Sequence, residues 1–446
     1  MNTFCACRVV KNYKNYIVQA LSILMLVILF AAKSLPLLAQ VSTVQPADPT
    51  TVQVVRDFGG ELFRINSVPY LQPLVQLLNA TANGRSFHTA FIGNAANGRH
   101  ENTFYMRVGI YGMGAFVRPD QMTYAPQLPT AELDLTKLTS FVSGNLLTGQ
   151  ISIRDTAGLI GYAVRVLTGD GIREGRIQVP AQASSFFGNL QQNFTIPKTY
   201  FRDRLNQGIA GIRLSPAATA TILQAIERLP DTYPLPNGQN LSLLPLAVPQ
   251  VEIGSLYGTE LMLRFIPSLD WGNNIGRFGF WGVGVKHSIS QYIPMLPFEL
   301  AAQGVVQGSR LTNTIGVTGA QLLAETTIFN ANIHASKRFG IVEVFSGLSY
   351  DALNVNASYT FVLPLSLQIQ LGLLKPVTEN GVTNYVVDAA AGFPGDTQPQ
   401  VARVNLANST LRWTLGGAVH LGNVSIVADY NLSTFSMLTA GVNVRF

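Results

Sequence analysis

Five histidines, His88, His100, His287, His334 and His420, are the residues best able to hold a metal or move a proton, and no two stand at metal-ligand spacing. A His-Glu-x-x-His string and an acidic calcium loop are both absent, so a dedicated metal site is not expected. His287 and Ser288 are the adjacent base and hydroxyl. Neighbours in a strand face opposite ways, so this pair cannot work together, and there is no G-x-S-x-G elbow. The chain therefore reads as a protein without enzyme activity and without a cofactor.

The charges carry more information. Glu260 and Arg264 share a face with Glu252, Gly254 and Gly258 if residues 251–266 form one strand, and Lys286 shares a face with Gly282, Gly284 and Ser288. By the same alternation His334, Glu343, Arg412 and His420 fall on polar faces. A Lys or Arg facing lipid at mid-depth costs about 2–4 kcal/mol, so these seven residues are expected to line a lumen. They would form a neutralising ion-pair ladder or, as a sharper alternative, a selectivity ring or a handle for an anionic headgroup. The ladder is the preferred reading.

The elements that must position them alternate with period two. In the last twelve residues, Leu438, Ala440, Val442, Val444 and Phe446 oppose Thr439, Gly441, Asn443 and Arg445, and the chain stops on the aromatic Phe446. This is the pattern of a closing outer-membrane strand, with Phe446 facing lipid and acting as the signal read by the barrel assembly machinery. At the other end Arg8, Lys11 and Lys14 precede the apolar run Ile17 to Ala32, and a small residue follows at Ala39. Residues 1–40 read as a signal peptide cleaved near Ala39–Gln40. That leader holds both cysteines and four basic residues but no acidic one. The mature chain then has no disulfide and nearly balanced charge, which removes the case for a nucleic-acid partner.

Hydrophobic residues make up 47% of the chain, yet no apolar run after the leader approaches the ~20 residues of a membrane helix. Alternation predicts eight strands from residue 251 to the end, with compact turns at 290–297, 337–340 and 422–423 and a long connection at 357–402. By direction-counting from Phe446, that long loop is extracellular. Upstream, Phe87 to Ile92 and Asn102 to Val117 read as strands, and Thr168 to Gly171 reads as the turn of a further hairpin. The fold expected is an all-β, antiparallel, up-and-down transmembrane barrel of about twelve strands (range roughly 10–14) with small helical segments. Ser67 to Ala80 has the spacing of a short helix, and Ser215 with Pro216 caps a better one. Residues 41–85 are expected to be a periplasmic or plug segment, and 86–446 a barrel with an insert at 118–250 in the lumen, in the periplasm or outside. Trp271 and Trp281 are equally suited to an interfacial girdle and to ordinary packing.

Tyr70-Leu-Gln-Pro-Leu74, Gly112-Met-Gly-Ala-Phe-Val117, Gly258-Thr-Glu-Leu-Met-Leu-Arg264 and Gly282-Val-Gly-Val-Lys-His-Ser288 together resemble a family of uncharacterised Bacteroidota outer-membrane barrels. The resemblance implies fold and location and assigns no substrate or site. In architecture alone, the chain is also similar to the long-chain fatty-acid transporters of the outer membrane. The expected function is passive transport or binding of a small hydrophobic or amphipathic solute by a monomer in contact with outer-membrane lipid. The alternative is a structural or surface-interaction barrel acting through loop 357–402; an outer-membrane hydrolase is the least favoured.

Overall fold

The computed structural model describes residues 47–92, 104–145, 150–207, 216–235, 237–270, 276–293, 295–315, 320–379, 382–398 and 400–446. Residues 1–40, read above as a signal peptide, and His100, Ser215 and Trp271 lie outside these residues.

Ten antiparallel strands close into a ring: β1 (Tyr105–Phe116), β2 (Leu243–Leu256), β3 (Thr259–Asp270), β4 (Arg277–Ser288), β5 (Glu299–Ile315), β6 (Ala320–Phe339), β7 (Val342–Phe361), β8 (Gln400–Leu421), β9 (Val424–Leu432) and β10 (Met437–Arg445). Each pairs with its neighbours in sequence, and β10 returns to β1 with Arg107 opposite Arg445. The count is therefore ten, not about twelve. The expected single strand at 251–266 is two, because Tyr257 and Gly258 both take positive φ (48° and 70°) and fold the chain back as a tight turn. Tyrosine is not a usual turn residue, so only Gly258 signalled it.

That split adds a strand, while the two expected around Thr168 to Gly171 are a helix. Thr168 to Gly171 lies near the end of α3 (Thr156–Arg173), one of five α-helices described before β2, with α1 (Pro49–Asn83), α2 (Leu135–Phe141), α4 (Lys198–Gln207) and α5 (Pro216–Arg228). Asp155 caps α3, accepting from the Gly158 amide at 2.8 Å, and Leu159, Ile160, Val164 and Leu167 are buried. The glycines allow close packing here: a Cβ on Gly169 would lie 3.2 Å from the Ala131 carbonyl oxygen. Residues 87–92 are not a strand either. They run unpaired with any strand, because the wall is already closed around them.

The turns after β2, β4, β6 and β8 lie at the end that carries Arg445, here the carboxyl end. The 117–242 insert leaves β1 and enters β2 at the opposite end, since Phe116 pairs with Leu243. The connection 362–399, with α6 (Leu365–Gln370) and a hairpin of Lys375–Glu379 and Val382–Val386, leaves the barrel there too. These segments share an apolar core in which α1 contributes Val54, Val55, Phe58 and Leu62, the insert Ile160, Phe201 and Ile226, and the 362–399 connection Leu363 and Leu367. Arg56 of α1 holds Asp396 at 2.7 Å, and Asp396 in turn accepts from the Leu363 amide. The result is a cap on one end of the barrel.

The predicted short helix at 67–80 falls in the second half of α1, which continues through Pro69 and Pro73. Its amino-terminal half belongs to the cap core, while Val75, Leu77, Ala80 and Ala82 pack against Met113, Val248, Ile266, Phe280 and Leu353 of the strands. One helix therefore joins two cores.

The longest strands change character along their length. Between Val342 and Asp351 of β7, the outward Val344, Leu348 and Tyr350 are apolar and exposed, with Ser346 among them, and the inward Glu343, Ser349 and Asp351 are polar and buried, with Phe345 and Gly347 among them. Past Asp351 both faces invert: Leu353 and Val355 are buried inside, and Asn354 and Asn356 stand exposed outside. The neighbours follow. On β6 the inward Asn330 and His334 give way to Ile328, and the outward Phe329 and Ile333 give way to Thr327 and Glu325; on β8 inward Arg412 gives way to Leu406, and outward Leu411 to Asn405 and Arg403.

Two outcomes follow for the cap. Leu167→Ala deletes a fully buried side chain and should cost about 2–5 kcal/mol. Limited proteolysis should then cut the cap while leaving the barrel intact. At the start of α1, Asp48 accepts from the Thr51 amide at 2.9 Å. Burial would raise its carboxyl, but the Thr51 hydrogen bonds and the nearby Arg228 charge outweigh that and hold it below the usual aspartate range. A lowered folded-state value gives stability that is complete above the unfolded value near ~4 and is lost as pH falls through the folded one. Acid should therefore loosen the first turn of α1, and Asp48→Ala, which removes the cap at a cost of about 1 kcal/mol, should already show this at neutral pH when protease cutting near residue 50 is compared.

Candidate functional site: the occupied lumen

The barrel interior is filled by the end of α1 and the segment that follows it. Residues 79–90 are all buried, polar and apolar alike. The last carbonyls of a helix have no partner within it and carry partial negative charge. Here two wall arginines take them. Arg264 on β3 donates to the carbonyl oxygens of Ala82 (2.7 Å) and Gly84 (3.0 Å), and Arg412 on β8 donates to that of Asn83 (2.9 Å). β3 and β8 lie five strands apart in the ring of ten, on opposite walls. Gln307 of β5 reaches Asn83 Oδ1 at 2.9 Å, and Asn83 in turn donates to Asn79 (2.8 Å), which donates to Asn408 of β8 (2.7 Å).

Beyond the helix, Arg85 turns the chain with a positive φ of 59°. Its guanidinium pairs with Asp429 of β9 and lies over the rings of Tyr111 (5.1 Å) and Phe345 (5.7 Å). Phe87 stacks on His334 with centroids 4.4 Å apart, and the wall leaves room for it at Gly347, where a Cβ would meet Phe87 at 2.7 Å. His88 sits 3.3 Å from both Arg107 and Glu252, which pair with each other across β1 and β2. The Thr89 carbonyl oxygen accepts from Lys286 (3.2 Å) and hydrogen-bonds His334 Nε2 (3.1 Å), and the Ala90 amide donates to Ser336 Oγ (2.8 Å). With Met437 of β10 facing Gly84, all ten strands touch this segment.

The residues expected from sequence fall as follows. Glu260 and Lys286 are buried and paired at 2.6 Å, with Tyr105 donating to Glu260. Arg264 is buried nearby but takes backbone carbonyls and Gln307, without a carboxylate of its own. Arg412 pairs with Asp351 at 2.7 Å and also donates to Asn431. His334 is buried against the threaded segment. Glu343 and His420 meet at 2.9 Å near the carboxyl end, with Arg338 3.0 Å from the same carboxylate, so His420 does have an acidic partner. Phe446 is exposed, and its backbone continues the ladder onto Met106 of β1. Trp281 is half exposed on the outer surface. His287 hydrogen-bonds Thr259, Gln291 and Tyr292, which ties the turns at the carboxyl end together. Among the described residues, no cluster of His, Cys, Asp and Glu could hold a metal ion.

A plug was one of the two places the sequence offered for residues 41–85, and the end of α1 with Arg85 takes it. What sequence reasoning missed is its continuation: Phe87, His88 and Thr89 read as part of a strand, and the local hint was Gly84 directly after a helical run. A small apolar void of about 10 Å³ lies in the cap between Val55, Phe58, Phe194 and Tyr233, far below the volume of an organic solute.

Fold and lumen together define a class: a closed antiparallel barrel plugged by the helix Pro49–Asn83, which precedes its first strand, and capped at one end. The chain belongs to a family of unknown function, DUF6588, whose model matches residues 19–446. No curated protein matches it.

The lattice predicts an asymmetry between charges. Arg412→Ala strands a buried Asp351 and a helix carbonyl, and should cost about 3–5 kcal/mol. Arg310→Ala breaks an exposed pair with Glu325 and should stay within ~1 kcal/mol. Equal shifts in denaturant unfolding would contradict the role given to Arg412.

Proposed function

We propose that the protein is an outer-membrane barrel with a closed lumen, which serves as a fixed base for a folded cap at the cell surface and acts through that surface. The inversion of polarity along β6, β7 and β8 carries this reading. A sheet that is apolar outside and polar inside over one stretch, and the reverse over the next, changes solvent partway along. From Val342 to Tyr350 the apolar stretch runs roughly 26 Å at about 3.3 Å per residue. With a tilt of about 40° this spans roughly 20 Å along the barrel axis, most of the roughly 25 Å lipid-facing band of such barrels. Lipid is then the partner along the band, Phe446 the residue offered to the barrel assembly machinery, and Bacteroidota outer membranes the setting that the sequence resemblance suggests. A monomer suffices, since the ring closes within one chain.

A surface role is favoured over passage of a small hydrophobic or amphipathic solute because the lumen is occupied and gripped from all sides. Transport would require Arg264, Arg412, Lys286 and the Arg85–Asp429 pair to release the segment together. The outer connection, by contrast, presents its hairpin to solvent, with Val382, Val386 and Val387 exposed. This extends the interaction reading of loop 357–402 to the whole cap.

In liposome swelling assays the purified protein should admit sugars no faster than protein-free vesicles. Swelling comparable to that with an open porin would overturn the closed-lumen reading. Removing the hairpin tip should abolish binding of surface partners without changing that permeability.

A further inference from the structure

We propose that the chain is threaded through its own barrel from the cell surface inward, so that Pro49 is displayed outside with the cap while β1 starts in the periplasm. This inference rests on the outer-membrane reading above, and the experiment below separates the two.

The path is fixed by contacts at both ends. At its start, α1 is built into the cap: Val54, Val55 and Phe58 lie in the cap core, and Arg56 is clamped to Asp396 of the outer connection. At its end, Asn83 is in the lumen between Arg412 and Gln307. The segment continues away from the cap until the Ala90 amide meets Ser336, close to the β6–β7 turn of the carboxyl end. β1 then begins at that end, with Tyr105 opposite Gly254. The chain crosses the ring once before contributing its first strand.

The cap-side part of this crossing is made by helix, which hydrogen-bonds its own backbone and is about 10 Å wide with side chains. The extended remainder is satisfied by Lys286, His334 and Ser336. A folded cap could not be drawn back through the same opening, so the crossing is permanent in the native state. That gives the surface face a component no loop between strands would supply: the first turn of α1, where Pro49 is exposed.

Single-cysteine labelling tests the path, and the sequence suits it because its only cysteines are Cys5 and Cys7, in the leader. Three variants are compared, with wild type as background: Pro49→Cys at the start of α1, Arg176→Cys on the cap and Asn423→Cys in the β8–β9 turn, all at exposed positions. A membrane-impermeant maleimide applied to intact cells should label P49C and R176C alike, and N423C at least tenfold less until the outer membrane is opened. If R176C is labelled on intact cells but P49C needs permeabilisation, the threading is wrong and the membrane reading stands. If R176C and N423C behave alike, the membrane reading itself fails. Should P49C loosen the cap, as judged by proteolysis, Thr50→Cys reads the same turn.

Discussion

The helix end buried inside the barrel is the constraint from which much of the structure follows. A helix that stops in a closed space leaves carbonyls that water cannot reach in bulk, and leaving such groups unpaired costs about 1–3 kcal/mol each. Arg264 and Arg412 meet this need from opposite walls. Their own charges must then be balanced. For Arg412 the balance is Asp351, and for Arg264 it is the negative end of the helix itself. The lumen is therefore neither an empty channel nor an apolar core, but a polar lattice whose geometry depends on where α1 ends. Arg85, Lys286 and His334 extend the lattice along the following residues.

Such a lattice is a weak source of net stability. Buried ion pairs roughly break even against well-packed apolar groups, and their value lies in penalising every arrangement in which a partner is missing. In a ring of similar strands this matters, because slipping one strand by a single residue turns its inward face outward. A slip in β8 would carry Arg412 out of the lumen and leave Asp351 alone. The small residues between the charges serve the same end: Gly347 leaves the space that the Phe87 ring and the His334 Cβ occupy, and a larger side chain there would push the plug off its contacts.

What was legible in the sequence follows from this division of labour. Period-two alternation reveals the wall wherever the two faces see different surroundings, so β4 to β10 and the inward direction of Glu260, Lys286, His334, Glu343 and Arg412 can be read directly. It fails where the contrast vanishes. Residues 87–92 are enclosed on all sides, and α3 is buried so fully that its run of apolar residues and glycines has no face to betray a helix. It also fails at Tyr257, where a turn is made by a residue whose type favours strand. Pairing was less accessible than direction: that Arg264 caps a helix, and that His420 meets Glu343, depends on registers between strands that no local pattern encodes.

The plug and the cap are one mechanical problem. α1 enters both cores, so a displacement of the plug along the barrel axis would have to shear Val54, Val55 and Phe58 through the cap as well as break the arginine contacts below. Pro69 and Pro73 sit between these two regions, where α1 gives up two backbone donors and gains its only built-in points of weakness. A pore that opened by plug movement would place its flexible point inside the barrel, next to the contacts to be released. Here it lies at the junction, and the residues below it are held by every strand. That arrangement suits a base that keeps its cap at a fixed angle better than it suits a gate.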